Sequence, residues 1–392
     1  MPHIRIDAFD ASVLPIRSGN VRIEWYAENI EHPGEGLLGA EVGGIPFLLQ
    51  VKPKGDSVLI KSEKISRPSP NALIKKALQA YLVEAKPKIL YSNISNLDEA
   101  KLKEPLPSLK EIADFRPEEL PDKPIWIEIG FGSGRHLLHQ AASRPDVHLI
   151  GLEIHRPSLE QVMRRIDLQK LENVWVIDYD ARLFMELLPS NRIERIFVHF
   201  PVPWDKKPHR RVISDTFLAE AMRVLKPGGT LELRTDSENY FRYAMDVFTR
   251  PKRVKLALEK NGEAAVRSKY EERWLRHQKD IYEIRVESLE FSEERKIDAD
   301  FSFPCAPALK RLYGRKPEKA VIDENFFVHV ERFYAISDTE GLIRVSLGSF
   351  DRPEHKYLLI QHKSVTYYPH DPVATQTNLD AHRTLKEWLC GM

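Results

Sequence analysis

The sequence is poor in cysteine and has no long apolar run, and these two shortages limit what the protein can be. Its only cysteines, Cys305 and Cys390, stand far apart in a chain of 392 residues. A small disulfide-bonded scaffold is therefore excluded, and a reducing, cytoplasmic setting is favoured. No segment approaches the roughly 18–20 consecutive apolar residues of a membrane-spanning helix. The N-terminus MPHIRIDAFD also lacks the basic and apolar regions of a secretory signal. Neither a membrane-spanning helix nor a secretory signal is therefore predicted.

The chain also has almost no excess of positive over negative charge. The chain has 59 Lys and Arg residues against 58 Asp and Glu residues, a net charge of +1. A protein that coats nucleic acid through a uniformly basic surface is therefore not expected, and any affinity for RNA must come from local clusters of cations. The length predicts two or three domains, each able to bury a core of its own.

The distribution of apolar residues predicts four segments. Residues 1–95 contain short strand-like runs and, at 70–84, apolar residues at helical spacing, which together predict a β-rich unit with one helix. Residues 96–122 are charged and rich in proline, as expected of a linker. Residues 123–324 are predicted to form a larger domain. Residues 325–392 return to strand-like runs and end in a helical one, which predicts a second small α+β unit.

Five apolar runs alternate with segments of helical periodicity in the larger domain. The runs lie at 125–130, 148–154, 174–178, 195–200 and 230–235. Strands that alternate with helices in this way usually pair in parallel, with helices on both faces of the sheet. The sequence therefore predicts an α/β domain with a Rossmann-like core.

The first of these runs ends in a glycine-rich segment, EIGFGSG. Gly130, Gly132 and Gly134 have the spacing G-x-G-x-G instead of the G-x-G-x-x-G of pyrophosphate-binding loops. Glu128 stands just before them, and a carboxylate in this place suits a cationic ligand without phosphates. S-adenosylmethionine is therefore a better candidate than NAD.

Acidic residues also follow the next two strands. Glu153 comes 19 residues after Gly134, near the interval at which a carboxylate meets ribose hydroxyls in nucleotide-binding folds. Asp178 and Asp180 follow the third strand, where a carboxylate could accept the adenine amino group beside Ala181. Alternatively, Glu153 is a solvated turn residue and either aspartate caps the next helix. Because a glycine loop and an acid occur on consecutive strands, cofactor binding is the preferred interpretation.

The fourth strand runs into a stiff aromatic and basic segment, FPVPWDKKPHRR, at 200–211. Its prolines free it from the sheet at the end where ligands of open α/β sheets bind. Trp204 could stack on a base. Five side chains could bind RNA phosphates: Lys206, Lys207, His209, Arg210 and Arg211. The alternative is an ordinary solvated basic loop.

These motifs resemble, as a set, the bacterial tRNA (guanine-N7)-methyltransferase family. The set also includes LEIHRPS at 152–158, LKPGG at 225–229 and the pair Thr235 and Asp236, and the resemblance spans residues 123–290. It implies a class I methyltransferase core that transfers a methyl group from S-adenosylmethionine to N7 of a guanine in tRNA, expected in the variable loop. The flanking β-rich units would make this chain a long form of the family.

The resemblance also implies roles for individual residues. The implied cofactor site consists of Glu128, Gly130, Gly132, Gly134, Glu153, Ile154, Asp180 and Ala181. Lys206 and Asp236 would lie at the target base, and the segment Ser268, Lys269, Tyr270 and Glu271, which corresponds to T-K-F-E in the family, would close over it. Val202 stands where the family usually has an aspartate, and Asp205 is the candidate substitute. The basic run of the family is shortened here to PHRR.

The chemistry of guanine N7 suggests how these residues would act. The N7 lone pair is already free, so attack on a methyl group needs no prior deprotonation, and positioning and electrostatics should dominate. The product purine is cationic. A carboxylate on its Watson–Crick edge would bind N1–H and the exocyclic amine, and Asp236 and Glu271 are the candidates.

Other functions are compatible with parts of this pattern. An amino-methyltransferase acting on adenine is the nearest, because such enzymes place a proline-rich aromatic loop after the fourth strand. An RNA-binding protein that kept the fold and lost catalysis is a second. A dehydrogenase is disfavoured because the three-glycine pyrophosphate spacing and a Tyr-x-x-x-Lys pair are missing. No metal site is predicted, since His136 and His139 have helical spacing but no acid or thiol near in sequence.

Overall fold

The computed structural model describes residues 2–68, 71–94, 108–110, 112, 115–263, 266, 279–295, 299–350 and 352–391. The chain divides into two compact units. The terminal unit combines residues 1–104 with residues 299–392, and the central unit comprises residues 105–298. This division differs from the sequence-based one, which keeps the two ends of the chain apart.

The first segment of the terminal unit is an antiparallel sheet with one helix. Its elements are β1 (His3–Ile6), β2 (Ile16–Ser18), β3 (Val21–Asn29), β4 (Gly36–Val42), β5 (Ile45–Lys54), β6 (Ser57–Ser62), α1 (Ala72–Ala85) and β7 (Ile89–Ser92). The predicted helix is confirmed: Ile74, Leu78 and Tyr81 lie on one side of α1 and are fully buried against the sheet. The sequence did not predict β4, because nearly all its residues are buried and they do not alternate in polarity.

The central unit has the predicted α/β fold. Its elements are β8 (Ile125–Ile129), α2 (Arg135–Ser143), β9 (His148–Leu152), α3 (Arg156–Gln169), β10 (Val174–Ile177), α4 (Ala181–Leu187), β11 (Ile193–His199), α5 (Asp215–Val224), β12 (Leu225–Thr235), α6 (Glu238–Phe248), β13 (Val254–Lys260) and β14 (Tyr282–Ser288). The strand order is β10-β9-β8-β11-β12-β14-β13. The first five strands are parallel, and β14 and β13 are antiparallel additions. The Rossmann-like core is confirmed.

Part of the predicted linker belongs to the central sheet. Leu109 pairs in parallel with Val176 of β10, and the amide of Val176 donates to the carbonyl of Ser108 over 2.7 Å. Phe115 packs edge-on against Phe184 of α4 in the core. The prolines and charged residues predicted a linker here, but a short segment of it pairs with the sheet. Residues 95–107 lie outside the described part of the chain.

The last segment of the chain is a four-stranded meander followed by a helix. Its elements are α7 (Leu309–Tyr313), β15 (Val321–Ile322), β16 (Phe327–Ala335), β17 (Gly341–Gly348), β18 (Glu354–Gln361), β19 (Ser364–Tyr368) and α8 (Gln376–Cys390). Cys305 and Cys390 form a disulfide, with their Cα atoms 5.7 Å apart. Their separation in sequence therefore does not argue for free thiols, because α8 returns the end of the chain to Cys305.

Strands from both ends of the chain join in one sheet. The order is β19-β18-β17-β16-β3-β4-β5-β6-β1-β7, and the halves meet where Tyr334 and Ala335 pair with Asn29 and Glu28. Each half is a meander, β3 to β6 or β16 to β19, followed by a helix. The faces turned away from α1 and α8 share a buried apolar cluster of Ala27, Leu37, Leu48, Tyr334, Leu342 and Tyr357. This shared core explains why the ends form one unit.

Tyr357 in the shared core tests this arrangement. Tyr357→Ala should destabilise the terminal unit by about 3–5 kcal/mol, because it removes a fully buried ring. Tyr357→Phe keeps the ring and should cost about 1 kcal/mol. Amide hydrogen exchange would follow both variants. Protection should fall in β3 and β4 as well as in β17 and β18 of the alanine variant, and a loss confined to β17 and β18 would contradict a shared core.

Candidate active site

The predicted functional residues follow strands that lie side by side. β9, β8, β11 and β12 are neighbours and run parallel, so the segments after them meet at one edge of the central sheet. The chain proceeds from β8 outward to β10 and then returns to β11 on the other side of β8. Open α/β sheets bind ligands at such a reversal of strand order.

The glycine loop, residues 130–134, turns the chain from β8 into α2. Gly130 and Gly134 both have φ of +67°, a conformation that is unfavourable for a residue with a side chain. A Cβ atom at Gly134 would lie 2.4 Å from a methyl carbon of Val162, so glycine is needed for α2 to start this close to α3. A Cβ atom at Gly130 would meet no atom of the described residues within 4 Å. The loop is therefore tight on its helix side and open at the end of β8.

Glu153 joins the glycine loop to the second strand. One carboxylate oxygen accepts a hydrogen bond from the amide of Gly132 over 2.9 Å, and the other accepts from the amide of His155 over 2.8 Å. The amide of Gly130 donates to the carbonyl of Leu152 over 2.8 Å. The glycine loop and Glu153, which are predicted to bind one cofactor, are therefore in contact. Ile154, the next residue, is 72% exposed and offers apolar surface there.

Glu128 has a partner that the sequence did not predict. Its buried carboxylate lies 2.8 Å from Nδ1 of His136, on the first turn of α2. The His136 ring packs against those of Phe197 and His199, at 4.8 and 4.7 Å between centroids. Burial disfavours the charged imidazole, but the carboxylates of Glu128 and Glu232 outweigh it and raise the pKa of His136. The eight-residue interval across the glycine loop was the only sequence signal of this pair.

A chain of charged side chains continues across the same face of the sheet. Nε2 of His199 lies 2.9 Å from a carboxylate oxygen of Glu232. Burial raises the pKa of Glu232, yet hydrogen bonds with His199 and Arg285 lower it to about 2. Arg234 donates to Glu283 over 2.8 Å, and both are buried. The sequence did not reveal this network because its members come from strands far apart in the chain.

Asp180 occupies the position expected of a helix cap. Its carboxylate accepts from the amide of Arg182 over 2.9 Å and pairs with the guanidinium of the same residue at 2.8 Å. Asp178 pairs with Arg156 at 3.0 Å. The capping alternative for Asp180 is thus realised in the structure. Ala181 begins α4 and is buried.

The basic aromatic loop, residues 200–211, leaves the sheet beside β12. The amide of Phe200 donates to the carbonyl of Arg234 over 2.7 Å, and the guanidinium of Arg210 lies 5.1 Å from the centre of the Trp204 ring. Four of the predicted cations are exposed, namely Lys206, Lys207, His209 and Arg210. Their binding to RNA phosphates stays a prediction, with which this exposure is compatible.

Arg211 behaves differently from its neighbours. Its side chain is only 4% exposed, and its Nε donates to the carbonyl of Pro203 over 2.7 Å. The guanidinium stacks on Tyr243 and Tyr240, 4.5 and 5.1 Å from the ring centres. A buried guanidinium with these partners fixes the loop and has no surface for an RNA phosphate, contrary to the expectation from sequence. The stacking tyrosines on α6 could not be foreseen from the local motif.

The two candidate aspartates lie at this edge in different surroundings. Asp205 accepts from Asn239 over 2.7 Å and from Arg211 over 3.3 Å. Asp236 directly follows β12 and pairs with Lys279 at 2.8 Å. Val202, in place of the family aspartate, is exposed. The predicted segment of Ser268, Lys269, Tyr270 and Glu271 lies outside the described residues.

Comparison with known proteins supports the predicted resemblance. A family model described as "Putative methyltransferase" matches residues 122–284. The tRNA (guanine-N(7)-)-methyltransferase of Wolinella succinogenes is 43% identical over 392 residues, which cover 99% of this chain and all of that protein. The chain belongs to the tRNA (guanine-N(7)-)-methyltransferase family. Proteins of the same name from Campylobacter fetus subsp. fetus and Helicobacter pylori are 36% and 37% identical over 99% of this chain and 99% and 98% of their own lengths.

These tRNA (guanine-N(7)-)-methyltransferases match the terminal unit as well as the central one, since the matches cover nearly the whole chain. The prediction of a long form of the family is thereby confirmed. In the part of the chain that the structure describes, no helix is both long and apolar enough to cross a membrane.

Adjacent arginines in the basic aromatic loop should respond differently to truncation. Arg211→Ala leaves the carbonyl of Pro203 without its donor and should destabilise the protein by about 2 kcal/mol. Arg210→Ala removes an exposed group and should change stability by less than about 0.5 kcal/mol. Urea unfolding would measure the stability of both variants, and trypsin cleavage after Lys206 would show whether the loop loosens in the Arg211 variant only. Equal behaviour of the two variants would refute the buried role of Arg211.

His136 should make stability depend on pH. Because the pKa of His136 is raised in the folded protein, its ion pair contributes fully below the ordinary value of 6.5. That contribution is lost as pH rises through the raised pKa. The stability difference between wild type and His136→Gln should therefore shrink between pH 5.5 and 9 in urea unfolding. His139→Gln, an exposed control one turn away, should change stability by less than about 0.5 kcal/mol.

Proposed function

We infer that the protein transfers the methyl group of S-adenosylmethionine to N7 of a guanine in tRNA. The observation that carries this proposal is the joining of three elements at one sheet edge: the glycine loop with Glu128 and Glu153, the basic aromatic loop, and Asp236. The named relatives favour the same reaction. For the cellular setting we propose the cytoplasm, where tRNA is found, and for the target the variable loop.

The residues around the glycine loop fit the proposed cofactor. When bound, S-adenosylmethionine supplies an electrophilic methyl group on a cationic sulfur. Buried carboxylates on neighbouring strand ends, Glu128 and Glu153, favour a cation, and the open space at Gly130 admits a ligand. Each carboxylate oxygen has two acceptor sites, so Glu153 can keep its backbone hydrogen bonds and still accept from ribose hydroxyls. Ile154 would cover one side of the adenine, with Asp180 and Ala181 at its edge.

Asp236 is the preferred partner of the target base. Asp205 accepts from Asn239 and Arg211, which hold the loop, whereas the partner of Asp236 among the described residues is the half-exposed Lys279. A guanine that presents N1–H and its amino group to Asp236 would share or replace the contact with Lys279. As N7 is alkylated the purine becomes cationic, and the attraction of this carboxylate grows in the transition state.

Other groups would position the RNA. Lys206 would bind O6 of the guanine or a phosphate, and Lys207, His209 and Arg210 would bind phosphates near it. Trp204 would stack on a base. The segment of residues 268–271 remains a proposal from the resemblance, with Glu271 as a second carboxylate for the base.

A labelling experiment tests the reaction and Asp236 together. The protein is incubated with unmodified tRNA and labelled S-adenosylmethionine, and the labelled nucleoside is identified after digestion. N7-methylguanosine is expected. Asp236→Asn, which preserves size and removes the charge, should lower kcat about 100-fold because transition-state stabilisation is lost. Its affinity for S-adenosylmethionine should stay unchanged.

The other outcomes separate the alternatives. Methyladenosine would favour the amino-methyltransferase, and absence of label despite binding of both ligands would favour a non-catalytic RNA-binding protein. Near-normal turnover by Asp236→Asn would remove Asp236 from the mechanism. Asp205→Asn is the matched control, and it should act through the stability of the loop more than through kcat.

A further inference from the structure

The terminal unit carries a basic surface that the proposed reaction does not use. It lies on β5, β6, β1 and β7 and consists of His3, Arg5, Lys52, Lys54, Lys61 and Tyr91, here named the basic strand surface. Strand register places these side chains on one face, because His3 is opposite Lys61 while Leu59 is opposite both Arg5 and Lys52. Tyr91 is opposite Arg5, and its ring stacks on that of His3 with centroids 5.2 Å apart.

This face differs from the other face of the same strands. Ile4, Ile6 and Ile60 alternate with the residues of the basic strand surface and are fully buried against α1. The core shared with the last segment of the chain draws on β3, β4 and β5 and includes no residue of β6, β1 or β7. In the described part of the chain the basic strand surface is therefore a side of the sheet that no helix covers. Tyr91 is 51% exposed there.

The strands that carry this surface contribute basic side chains to it and no acidic ones. The strands β1, β5, β6 and β7 contain no Asp or Glu residue. Lys52 pairs with Glu35 at 3.1 Å. No ion pair with an acidic residue is seen for Arg5, Lys54 or Lys61 among the residues described. The nearest acids in the sequence, Asp7, Asp56 and Glu63, lie just outside the strands, and Glu63 is buried.

We propose that the basic strand surface binds the sugar–phosphate backbone of tRNA, an inference that rests on the proposed function. Cations on three adjacent strands, spaced by about 4.8 Å, provide contacts for more than one phosphate. The His3 and Tyr91 rings add a stacking surface for a ribose or an unpaired base. An acidic protein could match the charge but would not need the stacked rings of His3 and Tyr91. The surface would raise the affinity for tRNA without touching the reacting guanine.

The test compares two double variants. One removes two cations from this surface, and the other removes two cations from the opposite side of the same sheet. Arg5→Gln with Lys61→Gln should weaken tRNA binding about ten-fold at moderate salt and lower the slope of log K against log salt by about 1.8. Lys75→Gln with Lys76→Gln on α1 makes the same change in charge and should leave the affinity for tRNA and the salt slope unchanged. Filter binding over a series of salt concentrations gives both quantities. The kcat at saturating tRNA and the affinity for S-adenosylmethionine should not change.

An unchanged affinity and salt slope in the Arg5 and Lys61 variant would overturn the proposal. If that variant fails to fold, as thermal unfolding would show, Lys54→Gln with Lys61→Gln carries the same expectation with less buried side chains. Failure of the proposed reaction would look different, because wild-type protein would then bind tRNA through this surface and yet form no N7-methylguanosine. The proposal would also be overturned if the Arg5 and Lys61 variant bound tRNA normally but had lost the binding of an acidic protein that the wild-type protein binds.

Discussion

The hydrogen bond from the amide of Gly132 to Glu153 is the interaction on which the site depends. It holds the turn after β8 against the end of β9, so that the glycine loop and a buried carboxylate share one location. The open space at Gly130 exists because the loop is fixed on both sides, by this bond and by the packing of Gly134 against Val162. Without that fixation, the carboxylates of Glu128 and Glu153 would not be held close to the same loop.

The sequence predicted the features that are local or periodic. Apolar runs alternating with helical segments specified the parallel sheet, and the glycine spacing with Glu128 and Glu153 specified the cofactor class. Contacts between distant residues were not predictable in the same way. The pair of Glu128 with His136 bridges the glycine loop, and the burial of Arg211 depends on two tyrosines of α6 that no local motif announces. The shared core of the terminal unit depends on pairing between β3 and β16, some 300 residues apart.

That pairing explains how the chain can be read as three domains and yet fold as two units. Each end of the chain supplies a meander followed by a helix. The helix covers one apolar face of the sheet that the meander forms, and the other apolar face needs a partner. The two ends provide that partner for each other through Leu37, Leu48, Leu342 and Tyr357. The central unit is therefore an insertion between two halves of one domain, and folding of the terminal unit must wait for the last strands to be made.

The electrostatics of the site impose a requirement on the rest of the molecule. Carboxylates at Glu128, Glu153 and Asp236 suit a cationic donor and a base that gains positive charge, but they repel RNA phosphates. With a net charge of +1, the chain has no general attraction for a polyanion. On the proposed function, the attraction for RNA comes from two local groups of cations, one in the basic aromatic loop and one on the basic strand surface. In the proposed assignment the cations of the basic strand surface do not meet the reacting base, so changing them would alter the affinity for the RNA and leave Asp236 and Lys206 in place.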